Sequence, residues 1–229
     1  MEIVVPAAGL STRYRSPRPK YLLFDANGEL MLAAAVRPFA RRYPITIGVL
    51  REHDETYAVR DLINSQIPEA RVIILPERTR GPADTVYQIL RSSGIKGEFF
   101  VKDCDSFFDY EYQPGNVICT TDVAEHEVVR KLAAKSFVIA NDQGLVLDII
   151  EKQIVSNLFC VGGYQIASSD LYKNTFLWLQ SITSEIFVSH VIQEMIKSGE
   201  IFLRQNVQNW VDVGTIDEWI VYNNNIAGS

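Results

Sequence analysis

The sequence EIVVPAAGLSTR, at residues 2–13, decides how the rest of the chain is interpreted. Its apolar start, residues 2–6, is typical of a buried strand, and the part that follows is a loop of small residues ending in Arg13. Lys20 comes soon after, within RPKYLL. Small residues let backbone N–H groups approach an anion closely, and two cations add positive charge beside them. The stretch therefore predicts a polyphosphate site directly after the first strand.

Apolar strands and helical patterns alternate along the first half of the chain. The expected strands are near residues 2–6, 45–50, 71–75, 98–102 and 116–120, and the expected helices are near 30–42, 55–65 and 83–93. Strands that alternate with helices are typical of a parallel sheet covered on both faces. We therefore predict an α/β fold, namely a three-layer, Rossmann-like, mixed and mainly parallel sheet with helices on both faces.

The second half has shorter extended pieces, followed by helices. The pieces are expected at 135–140, 145–150 and 159–166, the helices near 168–182, 187–198 and 215–226, and one strand near 200–204. The apolar stripe Phe176, Leu177 and Trp178, together with Tyr222, is expected in the core. No linker composition separates the halves, so residues 1–229 are predicted to form a single domain.

Composition excludes several classes of protein. With 229 residues and 47% hydrophobic residues, the chain is long enough for one sizeable core. A net charge of -6 argues against general binding to nucleic acid or to an anionic membrane. The three cysteines show no CxxC spacing, which argues against structural zinc and fits a reducing compartment. With no signal peptide or membrane span visible, we expect a cytoplasmic protein.

Two aspartates follow the apolar strand FFVK. Asp103 and Asp105 both lie near its end, where ligands bind in open parallel sheets. Carboxylates there suit Mg²⁺, which prefers oxygen ligands and keeps waters and substrate phosphates in its shell. Asp105 is the better candidate, and Asp212, in WVDVGT before the last helix, is a possible second ligand of the same ion. The alternative is that both segments are ordinary turns capped by aspartate.

Two other segments carry weaker signals. Glu151 and Lys152 follow an apolar strand, which is equally compatible with a surface ion pair. Residues 80–85, RGPADT, open a helix with Pro82 in its first turn. A helix N-terminus can hold a phosphate or a base edge, although ordinary capping explains this segment nearly as well.

In this order the motifs resemble the sugar-phosphate nucleotidyltransferases, NTP transferases with a GT-A-like fold. Residues 8–13 and 19–23 are similar to the signature loop of that family, and residues 81–84 to its base-contacting segment. Residues 101–105 resemble its metal-binding strand end, and residues 212–215 the segment with its second metal aspartate. The similarity runs in order along almost the whole chain, with residues 1–120 as a nucleotide-binding half and 121–229 as an acceptor-binding half.

The resemblance implies a role for each motif. Arg13, Lys20 and Lys152 would be the catalytic cations, the first two on the triphosphate and the third on the acceptor phosphate. The implied nucleotide-binding residues are Ala7, Ala8, Gly9, Leu10, Ser11, Thr12, Arg13, Lys20, Glu77, Gly81, Pro82 and Ala83. The implied acceptor-binding residues are Glu151, Lys152, Gly163 and Tyr164, and the implied Mg²⁺ ligands are Asp105 and Asp212.

Three positions differ from many sugar-activating members of the family. Ser11 and Ser136 stand where many relatives have glycine, and Gln153 stands where proline is usual after the Glu-Lys pair. None of these changes removes a residue implied in nucleotidyl transfer. They favour a different sugar phosphate, or another small phosphorylated metabolite, over hexose 1-phosphate as the acceptor.

The function predicted from this resemblance is transfer of NMP from an NTP, with CTP or UTP favoured, to a phosphorylated small acceptor. Pyrophosphate would be released, in the synthesis of capsule or surface-polysaccharide precursors, by a possible homodimer. Two alternatives stay open. One is a GT-A glycosyltransferase that uses Asp103 and Asp105 as a DxD motif, and the other is a nucleotide-binding protein without turnover. Release of pyrophosphate distinguishes them.

Overall fold

The structure is a computed structural model that describes residues 1–9, 14, 16–126 and 131–228. Its strands are β1 (Glu2–Ala7), β2 (Ile45–Leu50), β3 (Arg71–Leu75), β4 (Phe99–Lys102), β5 (Ser106–Asp109), β6 (Asn116–Asp122), β7 (Ser136–Ala140), β8 (Val146–Glu151), β9 (Leu158–Ile166), β10 (Phe202–Asn206) and β11 (Gln208–Asp212). Its helices are α1 (Met31–Ala40), α2 (Arg51–Tyr57), α3 (Val59–Gln66), α4 (Pro82–Ser93), α5 (Ser169–Gln180), α6 (Val188–Lys197) and α7 (Ile216–Ala227).

One large sheet has the strand order β10-β6-β9-β4-β1-β2-β3, with β7 joined to it through β9 and β8 joined through β7. The strands β4, β1, β2 and β3 are parallel, and β10 is parallel to β6. β9 lies antiparallel between β4 and β6. The predicted mixed, mainly parallel sheet is confirmed.

The side chains of β1 alternate between the two faces of this sheet, so each face presents apolar residues that helices cover. Ile3 and Val5 pack in one core, which includes Phe39 of α1. Val4 points the other way, into a core that includes Ile89 of α4. The three-layer prediction is therefore confirmed.

A single helix expected near 55–65 is two helices in the structure, and that prediction is wrong. Ala58 separates α2 from α3 with a left-handed backbone, at φ 49°. The Asp54 side chain accepts a hydrogen bond from the Arg60 backbone N–H at 2.9 Å, which satisfies a donor at the start of α3. This local contact stabilises a break that helical periodicity does not reveal.

Two short strands were not predicted. β5 and β11 form an antiparallel pair in which Asp212 lies opposite Ser106. The strand expected near 200–204 is β10, which begins two residues later. Pairing between segments about a hundred residues apart depends on the tertiary fold, so four- or five-residue strands of this kind have little signal of their own.

The apolar stripe on α5 divides between core and surface. Phe176 is buried and stacks on Tyr87, with ring centroids 4.8 Å apart. Leu177 and Trp178 are instead about half exposed, so placing them in the core was wrong. Consecutive helical residues point in different directions, and one face alone packs inward. In the described ranges, no helix is both long and apolar enough to cross a membrane.

Candidate active site

Three chain segments meet at one edge of the sheet. β1 and β4 are parallel neighbours, so the residues after each strand lie side by side. Ala8 follows β1, and Asp105 lies in the turn after β4. The β5–β11 pairing brings Asp212 to the same place. The backbone N–H of Val213 donates to the carbonyl oxygen of Asp105 at 3.0 Å, which fixes the two aspartate segments together.

Asp105 and Asp212 converge around Gly214. A Cβ atom on Gly214 would lie 3.0 Å from Asp212 Oδ1 and 3.3 Å from Asp105 Oδ2. Glycine therefore leaves open a space flanked by two carboxylates. Within the described ranges, no cluster of three or more His, Cys, Asp or Glu residues forms a metal site. A site with two carboxylates fits Mg²⁺, because that ion completes its octahedral shell with waters and substrate phosphates.

A lysine pairs with each of these carboxylates. The Nζ of Lys20 donates to Asp105 Oδ2, and the Nζ of Lys135 donates to Asp212 Oδ2. Lys20 begins a 3-10 turn anchored by the buried side chains of Tyr21 and Leu22. Lys135 was not among the predicted site residues, because a lone lysine before a short strand carries no recognisable signal.

Two cavities meet at this edge. The smaller, about 410 Å³, lies beside the end of β1, and the larger, about 570 Å³, lies between β8, β9 and the start of α6. Their shared walls include Pro82, Asp103, Asp105 and Gly214. Two ligands, one in each cavity, would thus meet next to the aspartates.

Most described residues predicted to bind nucleotide line the smaller cavity. They are Ala7, Ala8, Gly9, Lys20, Gly81 and Pro82. Ala83 is fully buried, and Glu77 is exposed, while Arg78 and Thr79 beside it line the cavity. Leu10, Ser11, Thr12 and Arg13 lie outside the described residues. The side chains of Arg78 and Thr79 were not predicted, because nothing but the fold turns them toward the end of β1.

Gly81 allows the two cavities to share a wall. Its φ is +152°, and a Cβ there would lie 2.9 Å from the carbonyl oxygen of Ile186. That carbonyl also accepts a 3.3 Å hydrogen bond from the backbone N–H of Ala83. The loop before α6 therefore packs directly on the start of α4. This contact places Glu185 and Phe187 in the wall of the larger cavity.

The larger cavity holds a fixed carboxylate, that of Glu151. Its Oε2 accepts hydrogen bonds from the Ser136 hydroxyl and from the Ser189 hydroxyl, the latter at 2.6 Å. The Nζ of Lys152 lies 3.9 Å from Glu151 Oε1 and 3.8 Å from the ring centroid of Phe187. Lys152 is half exposed, whereas Glu151 is mostly buried. The pair is therefore a rigid anion beside an accessible cation.

The remaining predicted acceptor residues lie on β9. Tyr164 lines the larger cavity. Gly163 faces away from it, since a Cβ there would meet Phe108 Cζ at 2.6 Å. Gly162 lines the cavity instead. Neighbouring strand residues point to opposite faces, so a shift of one position changes which glycine can contact a ligand.

A buried lysine holds the turn that presents Asp105. Lys102 is fully buried, and its Nζ donates to the carbonyl oxygens of Asp103, at 2.7 Å, and of Ser106. Burial lowers the pKa of Lys102 to about 8. Burial, with the neighbouring carboxylate of Asp105, raises the pKa of Asp103 to about 7. Asp103 packs against Gly162, and the turn leaves Asp105 to join Asp212.

The raised pKa of Asp103 predicts a pH-dependent stability. The folded chain holds this proton more tightly than the unfolded chain, so the stability contributed by Asp103 falls as pH rises from 3.8 to about 7. Asparagine cannot titrate, so this contribution is absent from Asp103→Asn. Without metal, we expect the variant to lose less free energy of unfolding than the wild type between about pH 5 and about pH 7.5. Urea unfolding in the presence of a chelator measures both slopes. Equal slopes in the two proteins would contradict the assignment.

Comparison with known proteins bears out the fold. No family model and no curated protein matches the sequence. Among solved structures, the chain is similar to a nucleoside-diphosphate-sugar pyrophosphorylase from Vibrio cholerae, with a TM-score of 0.82 and 21% identity over 97% of this chain and 99% of that one. It is also similar to the inositol-1-phosphate CTP transferase from T. maritima, with a TM-score of 0.74 and 18% identity over 95% and 90% of the two chains.

A third similar structure is UDP-glucose pyrophosphorylase in complex with UDP-glucose, with a TM-score of 0.74 and 16% identity over 99% of this chain and 98% of that one. These structures define the class of fold: the chain has the architecture of the sugar-phosphate nucleotidyltransferases. The fold that the sequence motifs implied is confirmed.

Proposed function

We propose that this protein is a nucleotidyltransferase that transfers NMP from an NTP to a phosphorylated small molecule and releases pyrophosphate. The observation that carries the proposal is the convergence of Asp105 and Asp212 where the two cavities meet. An NTP in the smaller cavity and an acceptor in the larger one would bring the α-phosphorus and the attacking oxygen to these carboxylates.

The proposed reaction joins two anions, so its main requirements are charge neutralisation and alignment. When bound, Mg²⁺ would supply positive charge to the phosphate oxygens that lie between Asp105 and Asp212. Lys20 would bind the phosphates of the NTP and stabilise the departing pyrophosphate. Lys152 would turn from the Phe187 ring to orient the acceptor phosphate. An acceptor phosphate is already anionic near neutral pH, so the reaction needs no general base.

The environment of Glu151 favours a small, polar molecule as the acceptor substrate. Two hydroxyl groups, from Ser136 and Ser189, hold one oxygen of its carboxylate, while Oε1 lies toward Lys152. This carboxylate can accept hydrogen bonds from a hydroxyl or amine group on the phosphorylated substrate.

We propose CTP or UTP as the NTP, since solved structures with this fold include a CTP transferase and a UDP-glucose enzyme.

We further propose a cytoplasmic enzyme, active as a monomer or as a homodimer, that uses Mg²⁺ and serves capsule or surface-polysaccharide precursor synthesis. A site made of two carboxylates, without sulfur or imidazole ligands among the described residues, favours a hard cation such as Mg²⁺. The acidic net charge of -6 disfavours nucleic acid or an anionic membrane as a partner.

A GT-A glycosyltransferase is the second candidate, because Asp103 and Asp105 form a DxD motif. The structure gives this candidate less support. Asp103 packs against Gly162, whereas Asp105 approaches Asp212 from another segment. A carboxylate pair formed by Asp105 and Asp212, with Lys20 on the nucleotide side, favours a triphosphate as the substrate.

A pyrophosphate-release screen tests the function. Purified protein with Mg²⁺ is assayed with ATP, CTP, GTP, UTP and dTTP against sugar 1-phosphates, phosphorylated amines and phosphorylated amino acids. We expect one NTP–acceptor pair to release pyrophosphate in amounts equal to the nucleotidyl product. Binding of NTP with no release from any pair would favour a binding protein. Binding of a nucleotide sugar without NTP binding would favour the glycosyltransferase.

A further inference from the structure

We propose that Lys135 is a further acceptor-binding residue, whose ammonium group holds Asp212 until metal and acceptor phosphate replace that contact. The inference rests on the proposed function. It starts from the pairing of Lys135 Nζ with Asp212 Oδ2. Lys135 lines the larger cavity, and its side chain is 21% exposed, so the ammonium group faces both the carboxylate and the space for an acceptor.

The local structure aims Lys135 at this position. It lies between a 3-10 turn (Leu132–Ala134) and β7, and its carbonyl oxygen accepts a 3.1 Å hydrogen bond from the backbone N–H of Lys152. The Nζ also lies 5.4 Å from the centroid of the Trp210 indole ring, on the strand that carries Asp212. A cation–π contact and an ion pair thus hold the ammonium group from two sides.

The pairing is mirrored on the nucleotide side. Lys20 lines the smaller cavity and pairs with Asp105, and Lys135 lines the larger cavity and pairs with Asp212. Without metal, each carboxylate has a cationic partner. A divalent cation between the carboxylates competes with these ammonium groups. Phosphate groups that bind the lysines remove this competition and thereby favour binding of the divalent cation.

Coupled equilibria of this kind are reciprocal. An anion in the acceptor cavity draws Lys135 away from Asp212 and thereby raises the affinity of the carboxylates for metal. Metal on the carboxylates in turn releases Lys135 for the anion. The lysine would keep the site charge-balanced without metal and couple metal binding to the presence of acceptor.

The test measures Mn²⁺ binding to the full chain without turnover. Free Mn²⁺ is followed by electron paramagnetic resonance, with and without inorganic phosphate as the probe anion, and is corrected for Mn²⁺–phosphate complexes in buffer. We expect Lys135→Met to tighten Mn²⁺ binding about twofold to fivefold without phosphate, the effect of removing one competing ion pair. Phosphate should tighten Mn²⁺ binding in the wild type and much less in the variant.

Three controls decide between a specific and a general effect. Lys131→Met removes the same charge from an exposed site in the wall of the same cavity and should leave Mn²⁺ affinity near the wild-type value. Lys135→Gln also removes the charge but stays polar, and it should behave like Lys135→Met. Agreement between the two variants would show that loss of the charge, and not a packing defect of methionine, causes the effect. Lys135→Arg keeps the cation and should restore the weaker binding and the phosphate dependence.

Unchanged or weaker Mn²⁺ binding in both neutral variants of Lys135 would overturn the proposal. Equal tightening in Lys131→Met would also overturn it, because loss of any nearby charge would then suffice. These measurements need no acceptor and no product. A failed pyrophosphate screen with the expected Mn²⁺ shifts would refute the proposed activity and leave the lysine exchange standing as metal–anion coupling.

Discussion

Asp105→Asn should lower turnover about 10²–10³-fold, the usual cost of removing one charge contact to a developing anion. The substitution keeps the size of the side chain and removes its charge, so Gly214 and Asp212 stay in place while the two-carboxylate site loses half of its anionic charge. The pyrophosphate assay measures kcat and KM with the NTP–acceptor pair identified by the screen. Mn²⁺ affinity should fall in parallel.

Asp109→Asn is the matched control. Asp109 ends β5, the strand that follows the Asp105 turn, but it is exposed and lines neither cavity. Its carboxylate accepts a hydrogen bond from the side-chain amide of Asn209 at 2.6 Å. The control should keep turnover close to that of the wild type. Wild-type kcat and Mn²⁺ affinity in Asp105→Asn would show that the metal assignment is wrong.

Gly162→Ala should reduce the free energy of unfolding by about 2–4 kcal/mol, through backbone strain and overpacking together. Gly162 has a φ of +82°, a conformation that L side chains rarely adopt, and a Cβ there would lie 2.5 Å from Asp103 Oδ2. Asp103 is partly buried and its backbone N–H donates to the carbonyl oxygen of Gly162 at 2.8 Å, so the aspartate has little room to move. Turnover should fall as well, because the same turn presents Asp105.

Gly28→Ala separates the two contributions. Gly28 has a similar φ of +77°, but a Cβ there meets no atom within 4 Å. Gly28→Ala should therefore lose free energy of unfolding through backbone strain alone, about 1–2 kcal/mol. Urea unfolding of both variants gives the comparison, and equal losses would show that the contact with Asp103 contributes nothing.

Much of the site could be predicted because its signals are local. An apolar strand followed by small residues and Lys20, and an apolar strand followed by Asp105, are patterns within a few consecutive residues. The topology then brings the two strand ends together, since β1 and β4 are parallel neighbours. Glu151 and Lys152 were predicted in the same way, from an apolar strand that ends in a charged pair.

Residues that reach the site from distant segments could not be predicted in this way. Lys135 pairs with a carboxylate 77 positions away, and Ser189 with one 38 positions away. Neither residue lies in a motif, so nothing but the folded chain brings them to the cavity. Gly163 shows the same limit on a smaller scale, because the pleat of β9 turns Gly162 toward the ligand side instead.

The sequence alone determined the class of fold and indicated the chemical character of the candidate site. Hydrophobic periodicity, small residues after β1 and carboxylates after β4 act over short distances, and burial of apolar strands makes their arrangement nearly obligatory. The tertiary structure alone decided which lysine pairs with which aspartate, which glycine opens the cavity and where the two cavities meet. Those contacts depend on ångström-scale distances between segments far apart in the chain, and packing of the whole domain sets such distances.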